Sequence, residues 1–501
     1  MITTQEWQER LKLWPNILLS ALEELLGWVE RSSESSEARV VVVGGAVRDL
    51  AVGIVAKDFD VEVYGVEKDQ LEAILLELWP HYQAVGVSFG VYKVVLEPGL
   101  ELDIALPRTE EKIGAGHTKF LVKTDPYLNF SQAARRRDFT INAIGLDWRK
   151  KQIFDPYNGL KDLEEKRLKI VDERSFIEDP LRVWRAMQFS ARFELKVDLR
   201  TVHLIKEIIR SGELETISPE RVTAEWEKLL TLAIRPSIGI NLARDWGLLK
   251  RFFPTLSALW DTPQEPEWHP EGDVGIHTML VVDQAARLVR LAETADHELK
   301  AIRARRLLVT LSALVHDFGK PLVTKMEDGR VRSRGHEEAA AQPIQEFCDR
   351  LCFGKELEDK ISRIAADHLK TTILYLQWQK GELTNEQYEN AIRRLLRRLG
   401  PVNYQDFLLV TEADKRGRGF TDADLFQYSE GERFKEAVIA GELVLASKTP
   451  LIKGGEIMSL LGIAPGPRVG EWMKAVEKAR DEGQIKTKLG AVRWLKKNFQ
   501  K

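Results

Sequence analysis

Val41-Val42-Val43-Gly44-Gly45-Ala46-Val47-Arg48-Asp49 is followed closely by Lys57-Asp58-Phe59-Asp60-Val61-Glu62-Val63. The first stretch reads as a buried strand broken by a glycine pair. The second reads as another strand, with Asp58 and Asp60 at i and i+2 and therefore on one face. Two hard-oxygen ligands aimed at one point suit Mg²⁺, and paired ions of this kind let many polymerases align a hydroxyl with the α-phosphate of a nucleotide. Gly44 and Gly45 close the strand and open a helix, where backbone N–H groups can cradle a triphosphate with no Cβ in the way. A Gly-Gly turn alone is commonly just a turn, and Asp-x-Asp is common on surface strands. Their order and spacing together point to nucleotidyl transfer.

Working outward, 501 residues exceed what one hydrophobic core supports, so two to four domains are expected. A hydrophobic fraction of 44% beside 30% charged residues is that of a globular protein. No apolar run approaches the roughly 20 residues of a membrane span, and the start lacks a secretory pattern. The expectation is a cytoplasmic protein with no membrane contact. The net charge of −3 decides nothing about nucleic acid, because binding depends on local basic surface. Cys348 and Cys352, spaced i, i+4 on a helical pattern, fail the usual zinc spacings and are read as structural.

Leu18, Leu19, Leu22, Leu25 and Leu26 recur at helical spacing within 14–29, and the Ser-Glu-rich 32–37 reads as a linker. Strand-like runs follow at 40–43, 59–63, 85–95 and 101–105, giving a mixed α/β unit that ends near Arg167. Beyond it apolar residues keep helical spacing almost everywhere, with Pro-rich breaks at 261–266 and around Pro450. The fold class is α+β: an N-terminal mixed α/β head, then a mostly α-helical remainder.

Further along come Arg135-Arg136-Arg137-Asp138-Phe139-Thr140-Ile141-Asn142-Ala143-Ile144 and Asp155-Pro156-Tyr157-Asn158-Gly159-Leu160-Lys161-Asp162-Leu163. Together with Gly-Gly-Ala-Val-Arg-Asp and Asp-Phe-Asp, these motifs resemble the class II tRNA nucleotidyltransferases, the CCA-adding enzymes and bacterial poly(A) polymerases. The resemblance implies a polymerase-beta-like head at 38–165 behind an N-terminal helical extension at 1–37. It also implies a helical neck and RNA-binding region at 166–260, a body at 261–450 and a tail at 451–501. Asp58 and Asp60 would be the Mg²⁺ carboxylates, and Asp103 a third carboxylate that takes the primer hydroxyl proton. Gly44, Gly45, Arg48, Arg136, Arg137, Asp138 and Asn142 would bind the nucleotide, the Arg-Arg-Asp motif through phosphate and ribose.

Glu178-Asp179-Pro180-Leu181-Arg182 has a plain reading, with Asp179 as N-cap and Pro180 in the first turn. In the family this motif reads the incoming base. Arginine offers only donors and ionised aspartate only acceptors. Cytosine and adenine pair an exocyclic amine donor with a ring-nitrogen acceptor, and uracil and guanine present the reverse. One Asp179/Arg182 pair would therefore take CTP and ATP without a nucleic-acid template. Residues 106–117, rich in glycine and charge, resemble the family's flexible loop, present at full length. This disfavours CC-only addition and leaves CCA addition open beside A addition or poly(A) synthesis. Ser218 caps a helix in Ser218-Pro219-Glu220-Arg221-Val222.

Four of the nine histidines, His277, His316, His336 and His368, fall in one segment. With Asp317 and Asp414 they resemble the H…HD…D pattern of HD phosphohydrolases. His277, His316, Asp317 and Asp414 would be ligands, and His336 and His368 further ligands or phosphate contacts. Such a donor set suits Mg²⁺ or a transition metal such as Ni²⁺, Mn²⁺ or Co²⁺. The tail, basic from Arg468 onward with Trp472 and Trp494 interleaved, would hold tRNA through Lys453, Arg468, Lys486 and Lys488. The expected partners are tRNA, CTP and ATP. A protein or small nucleotide as the acceptor, in a regulatory protein, is the alternative of a different class.

Overall fold

The computed structural model describes residues 4–33, 35, 38–56, 58–85, 90–112, 120–293, 299–419, 427–440, 443, 450–481 and 484–499. They form two compact units, Met1–Leu229 with Asn241–Leu248, and Leu230–Ile240 with Leu249–Lys501.

The N-terminal part of the first unit carries the strands β1 (Arg39–Val43), β2 (Asp58–Tyr64), β3 (Gln83–Val85), β4 (Val91–Glu97), β5 (Leu100–Ala105), β6 (Arg108–Lys112), β7 (Phe120–Thr124), β8 (Gly145–Asp147) and β9 (Gln152–Phe154), and a short parallel pair, Arg167–Leu168 with Lys196–Val197, follows. Seven of them make one sheet in the order β3-β4-β5-β2-β1-β8-β9. β2 and β5 run parallel and the other pairs antiparallel, so the sheet is mixed. Val40 to Val43 of β1 are all buried, the mark of a strand covered on both faces. The amphipathic helix Asn16–Ser32 packs on β1, burying Leu18, Leu22, Leu25, Leu26 and Val29.

The helix expected over 14–29 thus starts two residues later and runs to Ser32, with a second helix, Thr4–Leu11, before it. The run at 85–95 is not one strand; β3 ends at Val85, and 86–89 lie outside the described residues. The glycine-rich loop is flanked by an antiparallel ribbon of β6 and β7, and its residues 113–119, with Gly114, Gly116 and His117, are likewise outside.

In the second unit the helices Val274–Leu291, Leu299–Val315, Lys355–Asp367 and Tyr404–Arg416 pack on one another. The helical expectation missed a short hairpin, Lys325–Glu327 with Arg330–Arg332. Asp328 and Gly329 turn it at φ 51° and 74°, the positive values that a two-residue turn requires. Cys348 is buried in the helix Ala341–Arg350, whereas Cys352 is exposed beyond that helix's end, so only one of the pair is structural packing. The helices Gly454–Leu461, Pro467–Asp481 and Lys488–Phe499 share a core of their own around Ile457, Val476 and Leu495. Among the described residues no helix is long and apolar enough to cross a membrane.

Candidate active site and metal centre

Alternation along β2 sends Phe59, Val61 and Val63 into the core and leaves Asp58, Asp60 and Glu62 on the other face. The parallel register sets Asp60 opposite Asp103 and Asp58 opposite Glu101. On the far side of β5, β4 sets Lys93 opposite Asp103. The Lys93 Nζ lies 2.6 Å from Glu101 Oε2 and 3.8 Å from Asp103 Oδ1. Asp58, Asp60 and Asp103 are therefore brought to one patch of sheet.

The electrostatics of that patch favour a cation. Desolvation raises the pKa of Asp60, with Arg137 and Arg136 opposing. Burial likewise raises Asp103, which Lys93 pulls down and Asp60 pushes up. Asp103 Oδ1 is buried with no hydrogen-bond partner among the described residues. Carboxylates crowded together in this way fit a divalent ion, which would offset both the desolvation and the mutual repulsion.

Gly44 continues from the end of β1 at φ +70°. A Cβ there would stand 2.7 Å from Arg137 Nη1, so the glycine opens the space that the guanidinium fills beside Asp60. Arg136 and Arg137 are both held by Glu62, at 3.2 and 3.0 Å. The Tyr64 hydroxyl donates to the other Glu62 oxygen at 2.7 Å. Although Glu62 is only 2% exposed, its pKa lies below the ordinary range; burial would raise it, and the two arginines outweigh that effect. The expected result of Glu62→Gln is a loss of about 3 kcal/mol, read in a thermal melt, since two half-buried cations lose their buried counter-charge. A melt equal to wild type would show the arginines to be anchored elsewhere.

Arg48, Asp138 and Asn142 are also brought together, in a buried network. Arg185 Nε donates to Asp138 Oδ2 at 2.7 Å and Asn142 Nδ2 to Asp138 Oδ1 at 2.8 Å. Arg48 donates to Asn142 Oδ1 and to Asp49, and packs over Phe189 and Phe193. Burial alone would raise Asp138, but Arg185 and Arg182 hold it at about 2. Asp179 and Arg182 each have other partners. Arg182 donates to the Arg136 carbonyl at 2.6 Å and to Ser175 Oγ at 2.9 Å, while Asp179 Oδ1 lies 3.4 Å from Arg221.

In the second unit the four histidines converge on Asp317. His316 Nε2 is 3.1 Å from Asp317 Oδ2, and His336 and His368 Nε2 lie 3.3 and 4.0 Å from Asp317 Oδ1. His277 Nε2 is 3.1 Å from Asp414 Oδ1 and 3.9 Å from Asp317 Oδ2. Each opposite ring nitrogen is tied down: Nδ1 of His316, His336 and His368 to the carbonyls of Ala313, Ser333 and Ala365, and Nδ1 of His277 to Glu271. Nδ1 donates the proton in each of these bonds, which leaves Nε2 as the inward-facing nitrogen; His277 Nε2 donates to Asp414 Oδ1. His316 Nε2, His336 Nε2 and both Asp317 oxygens are buried without a hydrogen-bond partner among the described residues.

The donor set fits metal. Two groups able to hold an ion, His277/His316/Asp317 and Asp317/His336/His368, share Asp317 as a bridge. Burial drives His368 down to about 4, keeping it neutral, and Lys320 Nζ sits 2.7 Å from Asp317 Oδ2. Gly319 makes the loop possible, because a Cβ there would stand 2.0 Å from the His336 carbonyl oxygen.

Residues 40–169 match the poly A polymerase head domain, 194–259 the probable RNA and SrmB-binding site of polymerase A, and 274–426 the HD domain. The chain is 37% identical over 401 residues to the multifunctional CCA protein of Stenotrophomonas maltophilia (strain K279a), an alignment covering 79% of this chain and 90% of that one. The chain belongs to the multifunctional CCA protein family. Solved CCA-adding enzymes share the fold of this multifunctional CCA family member. The Bacillus stearothermophilus enzyme in complex with CTP has a TM-score of 0.60 at 20% identity, over 97% of this chain and 98% of that chain. The Thermotoga maritima enzyme complexed with tRNA has 0.57 at 19%, over 97% and 96%.

Three residues of this multifunctional CCA family member escaped the sequence reading. Glu62 extends the Asp58/Asp60 alternation by one step, a signal that was available. Lys93 is defined only by cross-strand register. Glu271, held at about 2 by His269 and His277 although burial would raise it, orients His277 from six residues away.

Proposed function

We propose that this is a cytoplasmic, template-independent tRNA nucleotidyltransferase that adds CCA, or its terminal part, to tRNA 3′ ends from CTP and ATP. The reading is carried by the Asp60/Asp103 register with Asp58 on the same face. Asp58, Asp60 and Asp103 would hold Mg²⁺, which supplies charge stabilisation at the α-phosphate. Asp103, the carboxylate raised by burial and by Asp60, is suited to accept the primer hydroxyl proton. Arg136 and Arg137, fixed by Glu62, present positive charge beside the carboxylates for the triphosphate. Gly44 and Gly45 give its oxygens close access to backbone N–H groups. Arg48, Asp138 and Asn142 act from beneath, keeping the Arg-Arg-Asp segment in place.

Base choice rests on Asp179 and Arg182, one turn apart at the start of the helix Leu181–Phe193. Arg182 would exchange its carbonyl partners for the acceptor of an incoming base while Asp179 accepts the exocyclic amine. Asp179→Ala with Arg182→Ala is expected to admit UTP and GTP at rates approaching those for CTP and ATP, with a lower total rate. Incorporation of each nucleoside triphosphate, assayed separately, checks this. Undiminished preference for CTP and ATP would leave these residues a structural cap.

The histidine centre is proposed as a metal-dependent phosphohydrolase holding one or two divalent ions, Mg²⁺, Mn²⁺, Ni²⁺ or Co²⁺, through His277, His316, Asp317, Asp414, His336 and His368. Such an ion activates water toward a phosphoester. The chain's own contribution is the fixed inward Nε2 set, with Lys320 as a positive group beside it. For the tail we propose that Lys453, Arg468, Lys486 and Lys488 face RNA phosphates. Lys486 and Lys488 pair with Glu386 and Glu456 at the surface, bonds weak enough to exchange for phosphate.

A further inference from the structure

The Ser175 hydroxyl joins two parts of the head that have separate tasks in the proposed reaction: the Arg136-Arg137 segment beside the carboxylates, and Arg182 at the start of the helix Leu181–Phe193. Ser175 Oγ accepts from Arg182 Nη1 at 2.9 Å and donates to the Arg136 carbonyl at 3.1 Å. Arg182 Nη2 donates to that same carbonyl at 2.6 Å. Guanidinium, hydroxyl and carbonyl thus close a ring of three hydrogen bonds.

The hydroxyl is placed by groups that do not depend on Arg182. Ser175 lies in the short helix Glu173–Glu178, which Asp172 caps by accepting the Ser175 N–H at 3.0 Å. The other Asp172 oxygen takes Nε and Nη2 of Arg135 at 2.9 and 2.8 Å. Next to Ser175, Phe176 is fully buried with its ring edge-on to Phe139, the centroids 5.8 Å apart. Cap, ion pair and aromatic anchor together fix the backbone from which Oγ projects.

A hydroxyl is at once donor and acceptor, and this one serves as both. The consequence appears when Arg182 turns toward an incoming base. Each Nη carries two protons, so Nη2 can leave the Arg136 carbonyl while Nη1 stays on Ser175 Oγ. The carbonyl then keeps the serine proton, and the acceptor is not left bare. Without the hydroxyl, the same turn strips the carbonyl of both its donors in this ring and the guanidinium of its fixed point.

We infer that Ser175 is a positioning residue for base selection, the pivot on which Arg182 turns from the Arg136 carbonyl to the acceptor of the incoming base. The inference rests on the reading of Arg182 as a base reader and adds the residue that sets its aim. Ser175 touches neither nucleotide nor ion; it acts through Arg182.

The test is single-nucleotide incorporation into tRNA by the full-length protein, with kcat and KM determined separately for CTP, ATP, UTP and GTP. Wild type is compared with Ser175→Ala, Ser175→Thr, Arg182→Ala and the Ser175→Ala/Arg182→Ala double variant. Losing a hydrogen bond to a charged donor should lower kcat/KM for CTP and ATP about tenfold in Ser175→Ala. UTP and GTP, whose edges Arg182 does not match, should stay near their wild-type values, so discrimination narrows by the same factor. KM for tRNA should not move. Ser175→Thr keeps the hydroxyl and should recover most of the loss. In the Arg182→Ala background, Ser175→Ala should add nothing, because the two residues act as one unit. Ser175 is half-buried and alanine suits a helix, so thermal melts should stay close to wild type.

A Ser175→Ala protein equal to wild type, an equal drop for all four triphosphates, a Thr variant as poor as the Ala variant, or a Ser175→Ala effect that persists without Arg182 each overturns the pivot. If Arg182→Ala has meanwhile lost selectivity, the base-reading role survives that failure. Arg182→Ala with unchanged selectivity refutes the base-reading role itself.

Discussion

Replacing Asp60 by Ala is expected to lower CTP and ATP incorporation into tRNA by at least about a thousandfold, because a divalent ion contributes several kcal/mol of charge stabilisation and each 1.36 kcal/mol is tenfold in rate. Asp60 sits opposite Asp103 in the parallel register, so its loss would remove a carboxylate proposed to hold the ion. Folding should not suffer. Asp60 and Asp103 both have raised carboxyl pKa values, which means that their ionised forms are disfavoured where they stand, and removing one relieves the other. Retention of labelled tRNA on a filter should stay close to wild type while incorporation disappears. Substantial incorporation by the variant would move the catalytic ion away from β2.

Changing His316 and Asp317 to Ala should abolish bound metal and phosphoester hydrolysis together. Asp317 is common to two of the three candidate metal groups, those of His277/His316 and His336/His368, so its removal takes a donor from each, and His316 takes a second from the first. Metal analysis beside hydrolysis of 2′,3′-cyclic and terminal phosphates reads the effect. Incorporation of CTP and ATP should remain within a few-fold of wild type, as the head's residues do not contribute to this centre. Wild-type protein that holds no divalent ion and hydrolyses nothing would reduce the centre to a scaffold. Loss of incorporation in the variant would refute the separation of the two activities.

The head was legible because its signals are local. Asp58 and Asp60 declare a shared face by strand period alone, and the glycine pair marks the strand end that precedes them. The same period, carried one step further, would have included Glu62, but its partners lie 74 and 75 residues away and only folding reveals them. Asp179 and Arg182 carry a signal of chemical complementarity alone, and their partners here, Arg221 and the Arg136 carbonyl, come from segments that only folding brings beside them. In the histidine centre residue type and order point to four candidate ligands, while the Nδ1 bonds to Ala313, Ser333 and Ala365 are backbone contacts that no side-chain pattern encodes. The hairpin turned at Asp328-Gly329 was missed because three-residue strands are too short to show alternation.

The alternation on β2 has a consequence for how this gene can change length. Asp58, Asp60 and Glu62 face one way only because an even count separates them, and the register with β1 and β5 holds that count fixed. An insertion or deletion of one codon between Asp58 and Glu62 would turn one part of the strand over relative to the other, sending carboxylates into the apolar core and Phe59 or Val61 outward. Point substitutions here spoil one group at a time; a single-residue slip would dismantle the carboxylate patch, its arginine anchor and the core beneath them in one event.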